Sequence, residues 1–223
     1  MSIATETEPL LETEPRDVAP VSLAIPAGLR LKISPEDFWT LCLYNSDLRL
    51  ERTAQGELIA MSPAVSRSGR LEILITTQLQ NWSEKDSTGF TFGPTAGFTL
   101  PNGAVRAPDA SWITLERWNA LTDQQQESFA PIAPDFVVEL CSKSDSRAET
   151  RAKMAEYIEQ GARLGWMIDP KAKEAEIYRP GRAVETLVKP SSLSGEDVLP
   201  GFILDLTPIF QDRTAAQAGG TDG

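Results

Sequence analysis

The chain has 223 residues, 41% of them hydrophobic and 24% charged, a balance that folds and that fits one core of ordinary size with a tail or two. It contains no histidine, which excludes Ser-His-Asp triads, Cys-His pairs, His-ligated zinc and His phosphotransfer together, so any chemistry rests on carboxylates, lysines, hydroxyls and water. The net charge of −11 argues against coating nucleic acid by bulk electrostatics; the two cysteines support no disulfide framework, and with no membrane-length apolar run or secretion signal the expected setting is a reducing cytoplasm.

Residues 1–25 mix Glu, Thr and Pro without apolar periodicity and read as a disordered acidic leader, followed by one domain over 26–211 and a disordered tail over 212–223. Ser34-Pro35-Glu36-Asp37 predicts a helix start, with serine as N-cap and proline at the first helical position, running to about Tyr44. Residues 47–53 and 57–61 flank Ala-Gln-Gly and predict a hairpin. From Ser66 to Lys85 the residues Leu71, Leu74, Ile75, Leu79 and Trp82 recur at helical spacing and predict a long helix packed on a sheet.

Short β-rich pieces at 90–92, 97–100 and 109–113 predict antiparallel strands, and 114–128 a helical excursion. Phe136-Val137-Val138-Glu139-Leu140 is the apolar run of a central strand buried on both faces. A second helix is expected from about Arg147 to Gln160, stopped by Gly161, and a strand over 164–168. The pieces at 174–178, 184–188 and 202–206 read as peripheral strands.

Glu139 is the residue that needs explaining, because an ionised carboxylate inside an apolar strand costs several kcal/mol unless a cation or donors meet it. A divalent metal is one such partner and an arginine is the other. Asp135 shares its strand face but lies about 13 Å away at ~3.3 Å per residue, too far to share one ion. Asp109 opens the strand at 109–113; if that strand lies beside 136–140, the two carboxylates converge at one sheet edge, and otherwise Asp109 is an ordinary turn aspartate.

Taken in order, Gly56-Glu57-Leu58-Ile59-Ala60-Met61-Ser62-Pro63, the segment 95–106, Ala107-Pro108-Asp109-Ala110-Ser111-Trp112, Pro134-Asp135-Phe136-Val137-Val138-Glu139-Leu140, Lys153-Met154-Ala155-Glu156-Tyr157-Ile158 and the segments 164–170 and 195–201 resemble the Uma-type restriction endonuclease family of the PD-(D/E)XK nuclease superfamily. The resemblance covers nearly all of residues 29–210. It implies an α/β restriction-endonuclease-like αβββαβ core, a mixed sheet between helices. It further implies a magnesium-dependent endonuclease, with manganese as a substitute ion, that hydrolyses DNA, often as a homodimer.

Residue by residue, the resemblance implies Asp109 and Glu139 as metal ligands, joined by the backbone carbonyl of Cys141. Cys141 also stands where the wider superfamily has its catalytic lysine. Lys143 shares that strand face and Lys153 lies on the following helix; Lys153 is favoured as the migrated lysine, although its spacing equally fits an ion pair with Glu149. Glu57 matches an acidic position on the early hairpin and is an additional catalytic candidate. Glu72, at the border of its helix's apolar face, reads as a surface residue. Arg67, Arg70, Arg106, Lys143, Arg147 and Arg151 are the candidate basic residues near the site, with a solvated surface as their alternative role. The competing expectation is a catalytically silent relative serving as an oligomeric or partner-binding module, and RNA as substrate stays open.

Overall fold

The computed structural model describes residues 30–61, 65–141 and 146–211. The leader, the tail and Lys143 lie outside the described residues. Helix α1 (Pro35–Tyr44) starts as its sequence dictates: the Ser34 side chain accepts from the Asp37 N–H and proline occupies the first turn. Strands β1 (Arg49–Arg52) and β2 (Leu58–Met61) form the expected antiparallel hairpin, with Gly56 supplying positive φ at the turn. Helix α2 (Ser66–Asp86) buries Leu71, Ile75 and Leu79 along one stripe.

The middle of the chain gives β3 (Gly89–Phe92), the short pair β4 (Phe98–Thr99) and β5 (Val105–Arg106), β6 (Ala110–Thr114), the excursion α3 (Leu115–Asn119) and α4 (Asp123–Gln126), and β7 (Phe136–Leu140). Helix α5 (Arg147–Glu159) crosses over to β8 (Leu164–Asp169). Then come β9 (Glu174–Tyr178), β10 (Glu185–Val188), β11 (Ser192–Ser194), β12 (Ile203–Asp205) and α6 (Thr207–Phe210).

Six strands make the main sheet in the order β10-β9-β8-β7-β6-β3, in which only β7 and β8 run parallel. A parallel pair needs a crossover, and α5 is that crossover. The elements α2, β3, β6, β7, α5 and β8 are the αβββαβ core. One sheet face packs Phe136, Val138, Leu140 and Trp166 against α2 and the C-terminal segment; the other packs Val137 and Met167 against Met154 and Tyr157 of α5.

One expectation is corrected. The strand at 174–178 is not peripheral: β9 lies between β8 and β10 with Ala175, Glu176, Ile177 and Tyr178 buried, leaving β10 as the edge and β11–β12 as a separate hairpin. The β1–β2 hairpin, found where the sequence predicts it, stands apart from the main sheet. It builds a second sheet, β2-β1-β5-β4, because β1 pairs with β5 at Arg52↔Val105. That second sheet carries charged side chains to the end of β7.

Candidate active site

Strand register places the two predicted carboxylates. Ala110 pairs with Val138 in the antiparallel β6–β7 ladder, so Asp109, one residue earlier, comes across from Glu139. Asp109 Oδ2 accepts the Leu140 N–H at 2.8 Å, which locks it to the end of β7. Val137 and Glu139 alternate with the α2-facing residues Phe136 and Val138, so the Glu139 carboxylate faces α5.

From α5, Lys153 Nζ lies 2.8 Å from Glu139 Oε1, and the Tyr157 hydroxyl, one turn on, donates to the same oxygen at 3.1 Å. Lysine 153 is also 2.8 Å from Glu51 Oε1, a residue that the sequence reading missed. Glu51 is 2% exposed and sits on β1; its Oε1 accepts the Ala107 N–H at 3.0 Å and its Oε2 accepts Arg106 Nη1 at 3.1 Å. The alternation of β1 was the available signal: Arg49 and Glu51 share one strand face, but nothing local says that this face is turned inward.

The three charges respond differently to one environment. Burial pushes the Glu139 carboxyl up to about 7; Lys153 pulls it down, and Asp109 and Glu51 raise it again. Burial also works on Glu51, but Lys153 and Arg106 outweigh it and hold that carboxyl below its ordinary value. Burial opposes the charge on Lys153, yet Glu139 and Glu51 together keep its ammonium above the usual lysine range. Tyr157 is pushed well above an ordinary phenol by burial and by Glu139, so it remains a donor.

Arg49, also on β1, faces the other carboxylate. Its Nη2 lies 3.0 Å from Asp109 Oδ1 and 3.3 Å from the Ala107 carbonyl oxygen. Glu72 of α2 is half-buried, and its carboxyl is raised by burial and by Asp109 while Arg49 lowers it. It therefore belongs to the electrostatic surroundings of Asp109, which corrects its reading as a surface residue: a border position on an amphipathic helix abuts the end of the strand it packs upon.

Other sequence candidates go elsewhere. Glu57 is not brought to this cluster; its carboxylate pairs with Arg30 at 3.0 Å, because it sits at the far side of the β1–β2 turn. Cys141 follows β7 with its N–H on the Ile168 carbonyl at 2.9 Å and its side chain against the α5-side core. Asp135, at the opposite end of β7, accepts the Thr114 N–H and lies 2.9 Å from Arg117. Arg106 is held by Glu51 and Glu156, and Arg147 and Arg151 by Glu176, so these three are committed to carboxylates; Arg67 and Arg70 are exposed on the first turns of α2.

Among the described residues no three Cys, Asp or Glu side chains are grouped to hold an ion. The donor set nevertheless fits magnesium. It is all oxygen, it comes from two adjacent strand ends, and burial, against the pull of Lys153 and with Asp109 and Glu51 nearby, raises the Glu139 carboxyl, a cost that an ion holding its charged form would offset. Magnesium takes one or two carboxylates and fills its remaining positions with water and substrate oxygens.

The fold is shared with a solved structure. A solved structure from Anabaena variabilis ATCC 29413, described as a putative nuclease belonging to DUF820, superposes with a TM-score of 0.68 at 19% identity over 80% of this chain and 97% of that one. No curated protein matches the chain. No helix among the described residues is long and apolar enough to cross a membrane. The family described as "Uma2: Putative restriction endonuclease" matches residues 35–207, a span that holds β1, β7 and α5 with every charged residue of the cluster, and the chain belongs to that family.

Proposed function

We propose that this protein is a magnesium-dependent endonuclease that hydrolyses phosphodiester bonds in DNA, manganese serving as a substitute ion. The observation that carries this reading is the meeting of Asp109 and Glu139 at adjacent strand ends with Lys153 Nζ 2.8 Å from Glu139. Asp109 and Glu139 are the ligands, and the backbone carbonyl of Cys141 is a third candidate. The bound ion supplies activation of a water and neutralisation of charge developing on the phosphate.

The protein's own side chains do the rest. Lys153 keeps its proton at neutral pH, so it donates from Nζ to the attacking water or to a phosphate oxygen and orients rather than deprotonates. Tyr157 fixes the orientation of Glu139 through its hydroxyl. Arg49 holds Asp109 from the opposite side.

The family description supports DNA as the substrate. The test is cleavage of supercoiled plasmid, linear duplex and single-stranded RNA with magnesium, manganese or chelator. DNA cleavage that needs the ion is the expected result, and faster cleavage of RNA redirects the substrate. Failure on every substrate, with no magnesium-dependent melting shift, favours the second reading, a silent relative that binds a partner. Cys141 in place of the superfamily lysine, and the commitment of Arg106, Arg147 and Arg151 to carboxylates, are the observations on that side. A homodimer, the assembly common among restriction-type nucleases, is checked by sedimentation.

A further inference from the structure

We propose that Glu51 is a positioning residue that holds the Lys153 ammonium in place independently of Glu139, leaving Glu139 able to bind a cation without releasing the lysine. This rests on the nuclease reading above.

The ammonium sits between two carboxylates at equal distance, 2.8 Å to Glu139 Oε1 and 2.8 Å to Glu51 Oε1. The two are not equivalent. Glu139 has acidic neighbours in Asp109 and Glu51, whereas Glu51 is compensated by Lys153, Arg106 and the Ala107 N–H. An ionised carboxylate that is 2% exposed is tolerated only when donors meet it, and Glu51 has three.

Glu51 is itself immobilised. Arg106 Nη1 holds its Oε2 at 3.1 Å, Arg106 Nε is held by Glu156 Oε2 at 2.7 Å, and Asn102 Nδ2 holds the other Glu156 oxygen at 2.9 Å. Glu156 and Lys153 are three residues apart on α5, so they share a helix face. The charges thus form a closed circuit that leaves α5 at Glu156, passes through Arg106 to Glu51 on the second sheet, and returns to α5 at Lys153.

Without Glu51, a cation that claimed Glu139 would strip Lys153 of its remaining carboxylate and free a long, rotamer-rich stem. With Glu51 in place, the ammonium stays beside the position where a phosphate oxygen arrives. Glu51 acts through Lys153 and touches neither ion nor substrate.

The experiment pairs Glu51→Gln with Lys153→Met. In metal-free protein, each single substitution takes one of its partners from a buried charge, so each lowers the melting temperature and the double variant loses less than the two together. Additive losses overturn the proposal. In cleavage at saturating magnesium, Glu51→Gln lowers kcat by about 30-fold, as for a displaced catalytic group, with KM within about twofold. In the Lys153→Met background the same change has less than about a twofold further effect.

A wild-type kcat in Glu51→Gln overturns the proposal and leaves the nuclease reading intact. Recovery of Glu51→Gln by higher magnesium also overturns it, because Glu51 is then a ligand. If the wild-type protein cleaves no nucleic acid, the nuclease reading falls, and the metal-free comparison alone decides whether Glu51 holds Lys153.

Discussion

Arg49 Nη2 stands 3.0 Å from Asp109 Oδ1, so the carboxylate that the nuclease reading assigns to the ion already has a guanidinium beside it. The pair sets two demands against each other. The guanidinium stabilises the metal-free protein and repels an arriving dication. Arg49→Met is therefore expected to bind magnesium or manganese more tightly by about tenfold, with metal-free stability lower by about 1–3 kcal/mol. Calorimetric titration and urea unfolding read the two effects; unchanged or weaker metal binding refutes the competition.

Asp109→Asn and Glu139→Gln keep the shape of each side chain and remove one charge from the ligand pair. Both variants should stay folded and lose metal-dependent cleavage by at least about 100-fold. Normal cleavage by both, in preparations free of contaminating nuclease, would move the site elsewhere.

The raised Glu139 carboxyl makes metal-free stability depend on pH. Burial, against the pull of Lys153 and with Asp109 and Glu51 nearby, shifts it from 4.5 to about 7, so the folded state binds this proton more tightly than the unfolded chain. Its contribution is greatest below the unfolded value, declines as pH rises towards about 7 and is level above that. The span amounts to at most about 3 kcal/mol. The stability of Glu139→Gln relative to wild type should accordingly rise across this window in urea titrations, and a difference that does not change with pH contradicts the assignment.

Lys153→Ala should cut the cleavage rate by on the order of 100-fold or more. Tyr157→Phe removes one hydrogen bond to Glu139 and should cost no more than about tenfold, in keeping with ~0.5–1.5 kcal/mol for a single bond. Single-turnover rates at saturating metal separate the two. A larger loss from the tyrosine than from the lysine would reverse their roles.

Glu176 supplies a control on the same sheet face. Register runs from Glu139 to Met167 to Glu176, and the Glu176 carboxylate is held by Arg147, Arg151 and Tyr178. Glu176→Gln takes a carboxylate from two arginines that both reach solvent, while Arg147 keeps Glu174, so it should lower the melting temperature only modestly. Metal affinity should not move; a matching loss of affinity would make Glu176 part of the site.

The main elements were legible because each is specified locally. Ser34 and Pro35 open α1, the 3-and-4 spacing from Leu71 to Trp82 makes α2, and the apolar run at Phe136–Leu140 is β7. The meeting of Asp109 and Glu139 was legible as one of two readings, since a carboxylate within the buried strand at 136–140 demands a partner and Asp109 stands at the start of the strand paired with it. Arg49 and Glu51 were not, because their role depends on β1 pairing with β5, a contact between residues some fifty positions apart. Glu57 misled for the same reason: its place on the hairpin was read correctly, but its pairing with Arg30 follows from the turn geometry.

Lys153 reaches Glu139 from the crossover helix and not from the strand. A side chain on β7 is fixed by the two-residue alternation of the sheet, so the lysine's location within such a strand admits little variation. On α5 the address is angular. One residue inserted between Ser146 and Lys153 would turn the ammonium by ~100° around the helix axis, off the face that holds Glu156, whereas four inserted residues would nearly restore the angle one turn further along. Length variation among relatives with a cysteine at the position of Cys141 should therefore be scarce in this first stretch of α5, or come in whole turns, and be freer in the α3–α4 excursion, which contributes no side chain to the site.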